Sequence, residues 1–160
     1  MGAKLLALFV GLLFAVGHNG LTFAADAADP VVGTWVLNLA KSKYSPGPAP
    51  KSLTRTYTES AQGLTMKISG VAADGSPISI QSTFKYDGKE YPYTGSPMFD
   101  SLSLKRVDGT TVKSVLKRGG KVVGSTTRTL SDGGKVLTLN TKSTDAQGVK
   151  HDEVAVFERQ

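Results

Sequence analysis

From residue 31 to the end, apolar and polar residues alternate with a period of two in short runs. That period is the mark of β-strands with one face buried, because successive side chains point to opposite sides. The runs are 31–39, 52–59, 64–71, 77–86, 101–107, 110–117, 121–130, 135–144 and 149–159. Between them stand turn residues: Gln62-Gly63, Asp74-Gly75, Asp87-Gly88, Asp108-Gly109, Gly119-Gly120, Asp132-Gly133-Gly134 and Gln147-Gly148. Gly and Asp tolerate the positive φ that tight hairpins need. No stretch carries a long 3.6-residue apolar period, so any helix is short. Two connections are long, 40–51 and 88–100. The first holds three prolines at 46, 48 and 50, which forbid helix and ladder and predict a stiff loop.

About nine hairpin-linked strands predict an all-β fold: a single antiparallel up-and-down meander of roughly 8–10 strands. Such a meander must close or stack to hide its edges. Next-neighbour hairpins favour closure into a small barrel over a Greek-key sandwich, which needs long crossovers.

The first 24 residues break this pattern. Lys4 precedes an apolar run over 5–16, and His18-Asn19-Gly20 ends it. A run of about a dozen apolar residues is too short to span a bilayer and suits the core of a secretory signal. Small residues allow cleavage after Ala24 or after Ala27. The expected organisation is a signal peptide at 1–24 and one β-barrel domain at 25–160, exported to a periplasmic or extracellular place. No later run is long and apolar enough to predict stable membrane insertion. Nothing in the sequence fixes the oligomeric state.

Composition narrows the chemistry. The chain has 19 Lys+Arg and 13 Asp+Glu, for a net charge of +6 that falls to +5 without Lys4. The basic residues are scattered, with no stripe of the kind nucleic-acid readers carry, so no nucleic-acid partner is expected. Cysteine is absent, so no disulfide staples the fold and stability rests on core and ladder. After residue 24 the only histidine is His151, expected on a strand surface. One histidine without thiols cannot anchor a zinc site, and no metal or other cofactor is expected. No Gly-x-Ser-x-Gly elbow accompanies His151 and Asp152, and the paired glycines open no helix, so nucleophile-elbow and phosphate-loop readings fail and no catalytic residue is assigned.

Strand parity points to candidate binding residues. Ile78, Ile80, Phe84 and Tyr86 share one face, as do Leu64, Met66 and Ile68. The same rule puts Arg55 and Tyr57 with Leu53, Arg106 with Leu102 and Leu104, and Arg128 with Val122 and Leu130. Three arginines thus fall on inward faces, while Lys67, Lys85, Lys105 and Lys113 fall outward. Arginine grips a carboxylate or phosphate through two parallel hydrogen bonds. The rival is a twisted or bulged strand, or an arginine that reaches water from the rim. The segment Tyr91-Pro92-Tyr93, with Pro97-Met98-Phe99, adds aromatics on a long loop, at a barrel mouth or strapped over a sheet edge. The candidate ligand-binding set is Arg55, Tyr57, Tyr86, Tyr91, Tyr93, Arg106 and Arg128. The expected core includes Trp35, Ile80, Phe84, Leu104 and Leu137.

Gly33-Thr34-Trp35, on the first strand, resembles the Gly-x-Trp signature of the lipocalins and wider calycin barrels. The chain as a whole resembles small exported bacterial proteins with a lipocalin-like domain. The resemblance implies a calycin-like barrel whose tryptophan packs across the closed end, often against a late arginine, here Arg159 or Arg128. It implies no reaction. The chain lacks the family's Thr-Asp-Tyr motif, its cysteine pair and an evident final helix. The leading expectation is an exported binding protein holding an apolar or amphipathic anionic small molecule, such as a fatty acid. Two others stay open: a filled barrel acting as an envelope interaction or stress module, and a barrel-cavity isomerase or lyase.

Overall fold

The computed structural model describes residues 28–160; the expected signal over 1–24 lies outside them. The regular structure of the described chain is almost entirely strand: β1 (Gly33–Leu37), β2 (Lys43–Ser45), β3 (Ser52–Ser60), β4 (Gly63–Val71), β5 (Pro77–Phe84), β6 (Asp87–Pro92), β7 (Ser101–Arg106), β8 (Thr111–Arg118), β9 (Lys121–Ser131), β10 (Val136–Thr144) and β11 (Lys150–Arg159). The helical pieces are two single 3-10 turns, Leu39–Lys41 and Asp132–Gly134.

All pairings are antiparallel, in the order β5-β4-β3-β1-β11-β10-β9-β8-β7-β6, with β2 added beside β11. This is the antiparallel up-and-down meander, curled into a small barrel, that the hairpin spacing predicts. It is nearly closed. The seam between β5 and β6 is held by one bridge, Gln81 to Thr94, with two backbone hydrogen bonds of 3.0 Å, and by Ser82 Oγ donating to the Pro92 carbonyl at 2.7 Å. Gly95 makes that approach feasible. Its φ is +91°, and a β-carbon there would stand 2.0 Å from the Ser79 carbonyl oxygen.

Three departures from the sequence reading have local causes. The segment 88–100 is not all loop: Asp87–Pro92 forms β6, paired with β7 through an irregularity between Asp87 and Glu90. Its Asp-Gly-Lys-Glu start carries no apolar alternation, so periodicity misses it. The stretch 40–51 contains β2, three residues paired with β11. Val122 does not share the face of Arg128 and Leu130. A bulge at Leu116/Lys117 leaves Val123 unpaired, and Val122 turns outward, 65% exposed.

Trp35 plugs the base. It is fully buried, and its indole Nε1 donates to the Val31 carbonyl at 2.8 Å. Of the two late arginines, Arg159 is the one that covers it, with its guanidinium carbon 4.2 Å from the ring centroid. Arg159 also donates to the carbonyls of Val32 (2.7 Å) and Gly134 (2.8 Å), so one side chain ties the first strand, the last strand and a hairpin together. Phe84, Leu104 and Leu137 are buried in the same core cluster as Trp35. Ile80 is only half-buried, because its inner side borders open space. Trp35→Ala is expected to destabilise the protein by about 3–5 kcal/mol in urea unfolding, the usual range for a large buried aromatic; a loss under about 1 kcal/mol would contradict the plug.

Candidate functional site

The inward faces of β3–β5 and β7–β11 do not meet. They enclose a cavity of about 520 Å³, within the size range of small-molecule sites. Its mouth is framed by the proline segment at Pro48 and Pro50, by Ala72 and Ala73, and by the Gly95–Phe99 segment. Apolar walls come from Leu53, Met66, Ile68, Ile78, Ile80, Leu102, Leu104, Leu116 and Leu139, placed by the strand alternation.

Two guanidinium groups interrupt this apolar surface. Arg55, on β3, donates through Nη1 to the Tyr57 hydroxyl at 3.1 Å and lies 3.3 Å from Met66 Sδ. Arg128, on β9, is 5% exposed and donates through Nη2 to the Tyr86 hydroxyl at 2.6 Å. Aromatic faces flank both: Phe157 under Arg55 at 5.3 Å, Tyr57 and Tyr86 near Arg128 at 5.5 Å each. Among the described residues neither arginine has a carboxylate within 4 Å, and the Nε of each is buried without a hydrogen-bond partner. Arginine does not discharge in a protein, so these are two positive charges served by phenols and rings.

The phenols respond according to position. Burial pushes Tyr57 up, but Arg55 and Arg128 outweigh it and hold its pKa below the ordinary phenol value. Tyr86 is pushed up to about 12 by burial, against the pull of Arg128. Tyr93, buried on the cavity wall, is raised chiefly by desolvation, with Arg55 opposing. Glu153 is the one carboxylate on the wall among the described residues. Burial raises its pKa, and His151 and Arg55 pull it only part of the way back.

Of the seven residues singled out by sequence, Arg55, Tyr57, Tyr93 and Arg128 line the cavity. Tyr86 stands behind Arg128. Its ring separates the cavity from Arg106, whose guanidinium lies 4.3 Å from the ring centroid. Arg106 does not share the cavity: it ends β7 at the base, keeps 35% of its side chain exposed and forms an ion pair with Asp29. Tyr91 does not line it either. It lies on β6, and its hydroxyl donates to Asp87 at 2.9 Å, held there by the Asp87-Gly88 turn. His151, expected on the surface, is half-buried on the inner face of β11 and pairs with Asp145 at 3.1 Å. Parity had the means to add Glu153, which alternates inward with Ala155 and Phe157. Tyr44 had no such signal, since its three-residue strand shows no period. Among the described residues no group of three His, Cys, Asp or Glu side chains is placed to hold a metal ion, and no helix is long and apolar enough to cross a membrane.

No family model matches the chain, and no curated protein matches it. Among solved structures, lobster apocrustacyanin A1 aligns at 15% identity with a TM-score of 0.41, covering 83% of this chain and 62% of that one. The chain thus spans less than two thirds of that protein. The fold assignment rests on the strand order and near closure described above.

The raised Glu153 fixes the sign of a pH effect. A carboxyl whose folded pKa lies above its unfolded value supports the fold while protonated, and that support is lost as pH rises through the folded value. Glu153→Gln should therefore gain stability relative to the wild type as pH rises from the ordinary carboxyl value of 4.5 through the raised folded value. Urea melts at pH 4 and pH 7.5 check this. A stability difference that stays flat or shrinks with pH would contradict the burial of this carboxyl.

Proposed function

We propose that the chain is an exported carrier of an amphipathic anion, which it holds inside the barrel with the charged group at Arg55 and Arg128. The observation that carries this reading is a pair of arginines on the wall of an apolar cavity, Arg128 buried and Arg55 half-buried, each with a buried Nε that has no hydrogen-bond partner. Buried charges without counter-charges cost several kcal/mol each even after relaxation. A bound carboxylate offsets that cost, and the apolar walls suit the tail attached to it. The hollow interior favours carriage over a filled barrel that acts only through its outer surface. The apolar run at 5–16 and the small residues after it support export.

The test is thermal unfolding of the mature chain with added amphiphiles. A native-state ligand at about a hundred times its Kd adds about 2.7 kcal/mol of stability. Decanoate is expected to raise Tm by several degrees and decanol by less, and Arg128→Gln should remove the difference. Equal shifts for acid and alcohol would contradict an anion site. The export part is tested by N-terminal sequencing of protein recovered outside the cytoplasm, with a start at Ala25 or Ala28 expected; intact Met1 there would contradict it.

A further inference from the structure

The wall built by β8–β11 carries a polar row. Ser114 pairs in register with Thr126, Thr126 with Thr141, Thr141 with Glu153, and Glu153 with Tyr44 on β2. All five line the cavity. On these strands they occupy the next inward position toward the mouth from the row of Val112, Arg128, Leu139 and Ala155. Two residues along a strand advance about 6.8 Å. The facing wall, from β3 to β5, is apolar at Leu53, Ile68, Ile78 and Ile80. The cavity thus has a polar side and an apolar side as well as a cationic pair.

The hydrogen-bonding capacity of this belt is only partly used. The Thr126 and Thr141 hydroxyls share one bond of 2.9 Å, which leaves a second hydroxyl proton and several lone pairs free. Ser114 and Glu153 have no side-chain hydrogen-bond partner among the described residues, and the Tyr44 hydroxyl is buried without one. The groups around Glu153 are His151 on its own strand, already bonded to Asp145, Tyr44 from β2 and Arg55 from β3; none forms an ion pair with it. Threonine is a good strand former, which explains it on an outer face. On the inner face of a barrel whose next row carries Val112, Leu139 and Ala155 beside Arg128, contiguous hydroxyls across three strands with a carboxyl beside them are costly unless something pairs with them.

We infer that this belt is a second recognition element, and that the ligand is an oxygenated acid: an anionic head at Arg55 and Arg128, an apolar body on the β3–β5 side, and a hydroxyl a short way along that body against the belt. The inference rests on the anion reading above and narrows it from plain alkyl acids to hydroxylated ones.

Calorimetric titration of the mature chain with decanoate and with its monohydroxylated positional isomers separates the two. At least one isomer should bind roughly three- to tenfold more tightly than decanoate, the range of one net hydrogen bond. That advantage, read as the ratio of the isomer's affinity to that of decanoate in the same protein, should vanish in the double variant Thr126→Val with Thr141→Val. Replacing both partners of a bonded pair by apolar groups of the same shape is close to neutral for folding. Ser114→Ala provides a second variant, in which the advantage should fall, if the first does not fold. If no isomer exceeds decanoate, or the advantage survives in a folded belt variant, ordered water alone occupies the belt and this inference is overturned, while the anion reading stands. If no acid binds, or Arg128→Gln binds decanoate as well as the wild type does, the anion reading falls and the belt's role falls with it.

Discussion

Two guanidinium groups inside an apolar barrel set the terms for the rest of the molecule. Each is cationic at any accessible pH, and each has its Nε buried without a hydrogen-bond partner. The chain answers with phenols and ring faces: Tyr57 accepts from Arg55, Tyr86 accepts from Arg128, and Phe157 lies under Arg55. From Tyr86 the support continues outward. Arg106 lies over the ring of Tyr86 and pairs with Asp29, in the segment that leads into the first strand. Asp29 is pushed up by its partial burial, yet the Val31 N–H, Tyr86, Arg106 and Arg128 together hold its pKa below the usual carboxylate value. The nearest full counter-charge to Arg128 therefore acts through an intervening tyrosine. That arrangement leaves the inner side of each guanidinium to the cavity.

The same economy explains why the barrel can stay hollow. Its base is closed by Trp35 under Arg159, and Gly33 allows that closure: its φ is +135°, and a β-carbon there would stand 2.6 Å from Arg159 Nη1. With one end sealed by a large aromatic and the strands tied in a nearly complete ring, the fold does not need a filled centre to hold its shape. The seam at Gln81 and Thr94 is the weakest link of the ring, a single bridge with two backbone bonds where every other pair of neighbours is in register over three residues or more. It lies beside the Gly95–Phe99 segment that frames the mouth, so the least constrained part of the wall is next to the entrance.

Most of the fold was legible in the sequence because period-two alternation and Gly/Asp turns are local signals. β6 was not, since Asp87-Gly88-Lys89-Glu90 looks like a turn and pairs through a bulge. The inward placing of Arg55 and Arg128 followed from parity alone. Arg106 shows the limit of that rule: parity gives a face, and it cannot say that a strand ends at the base, where Asp29 waits. Val122 shows a second limit, because one bulged residue resets the alternation. The Thr126–Thr141–Glu153 belt required register across three strands, which no single run contains. His151 looked like a surface residue because its partner, Asp145, comes from the preceding hairpin rather than from its own strand.

The central claim is that Arg55 and Arg128 receive an anion inside the barrel. Nitrogen-15 NMR of the arginine Nε–H groups reads this at the atoms concerned. Two Nε–H signals, assigned by their loss in Arg55→Lys and Arg128→Lys, should move when decanoate is added and stay in place with decanol, while the Arg159 signal at the sealed base is unchanged. If both signals remain where they are with saturating decanoate, or if the only signals that move belong to arginines outside the cavity, the account is contradicted.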